Sequence, residues 1–159
     1  LYENFFDIIH CANLIHHVPQ VDQDYWIKTM HGALKAGGTL VTWDPLRYNP
    51  VINVYRRMAM EVRTIDEVPV GFDILNLYRK YFSKVEHREF WFTTLWLFLH
   101  YYLVRRLDPN KVRYWKHIFK EKESRIGWWF KPLKALDTLL LKLPGFRHMA
   151  WGIVIVAKK

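Results

Sequence analysis

Hydrophobic positions follow two rhythms along this chain. Phe5 to Ile9 and Thr39 to Trp43 are short apolar runs, the pattern of buried strands. Between them Trp26, Ile27, Met30 and Leu34 recur at helical spacing, which predicts an amphipathic helix over residues 21–34. Gly37-Gly38 is expected to end that helix and open the second strand. Strand, helix and strand with short connections make a βαβ unit, so the two strands should be parallel with a right-handed crossover.

The pattern continues with a helix over 51–62, Val54, Met58 and Val62 sharing one face. A second helix over 73–82 is anchored by Leu75, Leu77, Tyr78 and Phe82. Alternation then predicts a strand over 83–92, and Trp151 to Lys159 reads as a buried strand. The two are separated by residues 93–147, whereas a hairpin needs only about two to five residues. That stretch is therefore read as an added helical subdomain. Its apolar run from Leu95 to Val104 meets Arg105-Arg106 and falls short of the roughly twenty residues a spanning helix needs. Residues 111–122 interleave Tyr114, Trp115, Ile118 and Phe119 with Lys and Arg. Trp128-Trp129-Phe130 precedes a helix in which Leu133, Leu136, Leu140 and Leu143 form the apolar face, closed by Pro144-Gly145.

The order FDIIHCANLIHHV, then ALKAGGTLVTWDP, resembles the fourth and fifth strands of class I S-adenosylmethionine-dependent methyltransferases. That family shows Phe-Asp, an apolar strand, Leu-His-His, a helix and Leu-Lys-Pro-Gly-Gly; Ala36 stands here in place of the proline. The resemblance implies an α/β fold, a partial Rossmann-like methyltransferase sheet with strands 4 to 7 of that fold. The last strand would be antiparallel and slot beside the fifth. The methyltransferase part would comprise residues 1–92 and 148–159, with 93–147 inserted. It also implies S-adenosyl-L-methionine as cofactor, with the backbone around Cys11, Ala12 and Asn13 against its methionine part. His16 or His17 would face the methyl group or the acceptor as the candidate base; otherwise one of them caps or packs on the following helix. The family's Gly-rich turn and ribose-binding acidic residue have no counterpart, since Gly37-Gly38 lies at the amino end of its strand. With Leu1 at its start, the chain reads as a fragment that is inactive alone.

Charge sharpens the division. Residues 1–104 hold ten Lys/Arg against eleven Asp/Glu, whereas 105–148 hold twelve against four. Residues 105–148 thus carry +8 against a whole-chain net charge of +9, which argues against a uniformly basic nucleic-acid binder. Basic residues among Trp, Phe and Leu suit either a lid over an acceptor pocket or contact with an anionic membrane surface. Both can hold together. Cys11 is the single cysteine, which excludes an internal disulfide and fits a reducing, cytoplasmic setting, peripheral at a membrane if the insertion docks there. Adjacent His16 and His17 diverge on a helix and have no further ligand at metal spacing, so no metal site is expected.

Two loops offer acceptor contacts. Asp44, Arg47 and Tyr48 are candidate acceptor contacts in the loop Asp44 to Pro50, which holds two prolines: Arg47 and Tyr48 either hold an anionic or aromatic acceptor, or Asp44 and Arg47 merely fix the turn. Arg63, with Asp66 and Glu67, either binds a polar acceptor or forms a salt-bridged loop. In a subset of the methyltransferases a similar Arg-Thr-x-Asp-Glu-His-Pro segment occurs, and Val68 here replaces its histidine. The expected activity is methyl transfer to a small, apolar or lipid-like acceptor. The alternative is a non-catalytic module that binds a membrane or partner. The sequence sets no oligomeric state.

Overall fold

The computed structural model describes residues 2–59, 61, 67–108, 110–111 and 123–159. Strand β1 (Phe6–Ala12) is followed by a single 3₁₀ turn (Ile15–His17), helix α1 (Gln23–Ala33) and strand β2 (Leu34–Pro45). Helices α2 (Pro50–Met58) and α3 (Ile74–Tyr81) lead to strand β3 (Lys84–Phe90). Helix α4 (Leu95–Leu99) continues into a π-helical turn (His100–Val104). Then come α5 (Glu123–Leu140), the short α6 (Pro144–Arg147) and strand β4 (Gly152–Lys158).

The four strands form one sheet in the order β1-β2-β4-β3. β1 and β2 are parallel, as the βαβ pattern requires, and β4 runs antiparallel beside β2. Ser83 N donates to Lys158 O, and Trp151 N to Phe90 O, so β3 lines the other side of β4, also antiparallel. The α/β fold with its inserted, reversed last strand is the one the sequence implied.

The chain divides into two compact units. One comprises Leu1–Arg47, Ile65–Glu89 and Gly152–Lys159; the other comprises Tyr48–Thr64 and Phe90–Trp151. The first unit's core is built on one face of the sheet. Leu40, Ile153, Ile155 and Ala157 are buried together with Ile27 and Met30 of α1 and Ile74, Leu75 and Tyr78 of α3. Each large apolar side chain so buried contributes about 1.5–3 kcal/mol.

In this unit three expectations need correction. β1 is not a buried strand: it pairs only with β2, its outer edge is open among the described residues, and Ile8 is 67% exposed. A continuous apolar run specifies burial only if a neighbour covers each face, and α1 covers one. Trp26 is likewise exposed, since Ile27 and Met30 are the residues α1 buries. Finally, Gly37-Gly38 does not cap α1. Leu34 N closes the helix onto Met30 O and His31 O, and Leu34 is itself extended and buried. The glycines lie in an irregularity of β2 where Phe6 pairs Leu34 but Ile8 pairs Thr39. Gly37 has φ +76°, and a Cβ on Gly38 would lie 2.9 Å from Lys35 O and 3.2 Å from Asp7 O. Both positions favour glycine for these reasons.

In the second unit Ile52, Leu95 and Tyr101 form a buried cluster, with Val51, Tyr55, Leu99, Tyr102, Leu107 and Trp151 around it. Asn49 caps α2 through bonds from Val51 N and Ile52 N, and Pro50 fills the first helical position, where no amide donor is needed. The buried side of α2 carries Ile52 and Arg56, with Ala59 buried just beyond the helix; Val54 and Met58, expected inside, are exposed. Helix α2 has two apolar stripes, and the one facing the cluster wins. Val62 and residues 112–122 lie outside the described residues. No helix among the described residues is long and apolar enough to cross a membrane.

Candidate active site

The carboxyl ends of β1 and β2 bring the sequence-predicted residues of the first unit together. β1 ends in a tight reversal in which Asn13 adopts φ +53° and donates its N–H to Trp43 O at 2.7 Å. Asn is among the few side chains that tolerate this left-handed region. Ala12, Asn13 and Leu14 are exposed just beyond the strand, and Cys11 faces α1, its Sγ 3.7 Å from Met30 Sδ. Burial pushes the Cys11 thiol above its ordinary value, and the nearby charge of Asp44 pushes it further. The thiol is thus held protonated and is no nucleophile at neutral pH.

The reversal feeds the 3₁₀ turn that carries both histidines. Gln23, the first residue of α1, donates its side-chain N–H to Ile15 O and Val18 O, satisfying two carbonyls of the turn. Val68 N donates to His16 O at 2.7 Å, and Leu46 bridges Val70, so residues 67–70 run beside the same turn. The segment in which valine replaces the family's histidine therefore reaches the site through its backbone.

His16 is 4% exposed, and so is Asp44 on β2. Asp44 Oδ1 receives His16 N at 3.1 Å and faces His16 Nδ1 at 2.8 Å. An ionised carboxylate has no proton to give, so this geometry requires Nδ1 to carry the hydrogen. In the neutral imidazole the unprotonated nitrogen is then Nε2. His17 packs on the same ring, centroids 4.2 Å apart. Asp44 was expected to hold acceptor or fix its turn; the structure makes it the partner of His16. Sequence reading missed this pairing because 28 residues separate the two.

Behind the pair lies a buried hydroxyl contact, Tyr78 Oη to Thr42 Oγ1 at 2.8 Å, which the sequence did not reveal. Arg47 forms an exposed ion pair with Asp73 above Gly71. Tyr48 belongs to the second unit, where its ring meets His148 edge-on at 5.0 Å. Arg63 lies outside the described residues. A further imidazole–carboxylate pair, His87 Nδ1 and Glu89 Oε1 at 2.7 Å, sits on β3 at the far edge of the sheet.

The described residues at the ends of β1 and β2 do not make a complete site for a nucleotide-like cofactor. Asp44 and Asp73 are already engaged by His16 and Arg47. The only paired glycines are at the amino end of β2, away from the carboxyl ends of β1 and β2. Among the described residues, no glycine turn or further carboxylate for such a cofactor is placed at these two strand ends.

No known protein family matches the sequence, and no curated protein does. Among solved structures, a SAM-dependent methyltransferase from Archaeoglobus fulgidus aligns with all of this chain at TM-score 0.56 and 14% identity. Phosphoethanolamine N-methyltransferase 2 of Haemonchus contortus aligns with 99% of it at TM-score 0.49 and 16% identity; that structure holds phosphomonomethylethanolamine and S-adenosylhomocysteine. YcgJ of Bacillus subtilis aligns over the full chain at TM-score 0.44 and 15% identity. The chain spans 62% of the Archaeoglobus protein, 34% of the Haemonchus protein and 66% of YcgJ. Identities this low speak to fold and not to chemistry. This chain has part of the fold of the class I S-adenosylmethionine-dependent methyltransferases.

Proposed function

We propose that this chain carries the acceptor side of a methyltransferase site, with His16 as the base that takes the acceptor's proton. The observation that supports this is the buried His16–Asp44 pair at the carboxyl ends of two parallel strands. Open α/β sheets bind their ligands at that edge. Methyl transfer onto a hydroxyl or protonated amine must shed one proton from the acceptor. Nε2 of His16 is the nitrogen that receives it, while Nδ1 keeps its own hydrogen, donated to Asp44, whose negative charge favours the imidazolium formed. A positioned base of this kind contributes typically about 10²–10⁴-fold. The larger share comes from holding the reactants in line.

The methyl donor in this reading is S-adenosylmethionine, lying along Cys11, Ala12 and Asn13, with its remaining contacts supplied by polypeptide beyond this chain. Arg47 is the proposed acceptor contact in the first unit. The acceptor is small and apolar or lipid-like, a reading supported by the apolar, basic composition of residues 93–147. Titrating S-adenosylhomocysteine into a ¹⁵N-labelled polypeptide that joins this chain to the rest of such a fold tests the placement. Amide shifts should appear at Ala12, Asn13, His16 and His17. Binding that leaves all four unmoved contradicts it.

A further inference from the structure

Helix α5 is built inside out. Its one fully buried described side chain is a carboxylate, Asp137, which receives Phe92 N, Thr93 N and the hydroxyls of Thr93 and Thr94. Leu133 and Leu140 flank Asp137 and are partly buried. The opposite side is apolar and open. Trp128, Pro132, Ala135, Leu136 and Leu139 fall within an arc of roughly 100° at helical spacing. Trp128 is 73% exposed and Leu139 63%. Leu143, three residues past the helix, is exposed as well. Lys131 borders the stripe, Lys134 lies further round toward the Asp137 side, and Lys142 follows the helix; all three are exposed.

An apolar helix face normally packs inward. Here the inward position is a polar anchor, so the anchor does not account for the outward Leu136 and Leu139. Their border supplies the clue to what covers them: every described charge flanking the stripe is a lysine, and Asp137 is turned away inside. Residues 105–148 as a whole hold twelve Lys/Arg against four Asp/Glu. The same unit exposes Leu103 and Val104 directly before Arg105 and Arg106. Large apolar side chains rimmed by ammonium groups complement a surface that is anionic at its headgroups and hydrocarbon beneath. Single-stranded nucleic acid would use aromatic faces beside lysines, and aliphatic Leu136, Leu139 and Leu143 give bases nothing to stack on.

We propose that the outer face of α5 is a peripheral docking surface for anionic lipid bilayers. Trp128, Leu136 and Leu139 enter the headgroup–acyl boundary, and Lys131, Lys134 and Lys142 meet lipid phosphates and carboxylates. The proposal does not depend on methyl transfer.

Cosedimentation of the full 159-residue chain with vesicles tests it. Vesicles of phosphatidylcholine with about 30% phosphatidylserine should bind the chain, and pure phosphatidylcholine at least about tenfold more weakly. Raising salt to about 0.5 M should weaken the anionic binding. Trp128→Ser with Leu139→Glu replaces exposed groups, so circular dichroism and melting should be unchanged while binding falls about tenfold or more. Ile8→Lys, at the open sheet edge, should bind like the parent chain. Absence of binding by the folded chain, equal binding to both vesicle types, or full binding by the Trp128/Leu139 variant overturns the proposal. So does loss of binding through Ile8→Lys alone, or capture by a single-stranded oligonucleotide in place of vesicles.

Discussion

At the scale of residues, the account turns on one carboxylate. Asp44 Oδ1 takes both the backbone N–H and the ring Nδ1 of His16. The backbone bond places the residue, and the ring bond selects its tautomer. Asp44→Asn keeps the shape but offers an amide that can donate as readily as accept. The variant should therefore populate the Nε2–H tautomer, which long-range ¹⁵N–¹H spectra distinguish from the Nδ1–H form of the parent. An unchanged tautomer would remove Asp44 from the positioning role. The histidines were legible in the sequence as candidates because their spacing after an apolar strand is characteristic. Their inequality was not, since it depends on a strand 28 residues away. Arg47 shows the converse: a charge in a Pro-bounded loop reads as a ligand contact, yet its guanidinium meets Asp73 across Gly71.

At the scale of elements, the sequence told which segments are helix or strand better than which faces they bury. α1 and α3 present the expected Ile27, Met30, Leu75, Tyr78 and Phe82 to the core. α2 and α5 do not follow their most conspicuous apolar stripes, because each is fixed by a polar contact distant in sequence. In α2 the Asn49 cap, also bonded to Met149 O, sets the rotation of the helix. In α5 the anchor is Asp137, whose four donors come from residues 92–94. No periodicity analysis finds a buried carboxylate partnered 43–45 residues away. Asp137→Ala strips these donors of their acceptor at a buried site. A loss of about 2–4 kcal/mol is expected in urea unfolding, more than a surface substitution gives. Asp137→Asn, which retains one acceptor oxygen, should lose less. Equal stability of the alanine variant and the parent would mean that the anchor contributes nothing.

At the scale of the whole molecule, two features bear on how the chain works. The first is a buried protonated layer beneath the site. Burial raises the Tyr78 hydroxyl well above the ordinary phenol value of 10.0, opposed by its bond with Thr42 and aided by the charges of Asp44 and Cys11. Cys11 is raised above 9.0 in the same way. A group whose folded-state pKa is raised contributes its stability fully below the unfolded value and loses it as pH rises beyond. Unfolding free energy should therefore decline above about pH 9 and faster above about pH 10. Tyr78→Phe removes the steeper part, and denaturant midpoints measured across that range check the sign. The second feature is the open edge of β1, with Phe6 and Ile8 exposed and one neighbour only. Long unprotected edges invite another strand, and among the described residues none pairs with the outer edge of β1. The parallel β1–β2 pair was legible from local patterns joined by short connections, whereas the reversed last strand beside β2 was implied only by the resemblance to methyltransferases. The open edge was not, since an apolar strand reads the same whether or not its neighbour is present.

The central claim is that His16 removes a proton from a methyl acceptor. Its most direct test is transfer of labelled methyl groups from S-adenosylmethionine by the polypeptide that joins this chain to the rest of the fold. Hydroxyl- and amine-bearing acceptors would be assayed with the parent and with His16→Gln. The account predicts turnover lower by about 10²-fold or more in the variant, with cofactor affinity and melting unchanged. Equal turnover in parent and variant would contradict it.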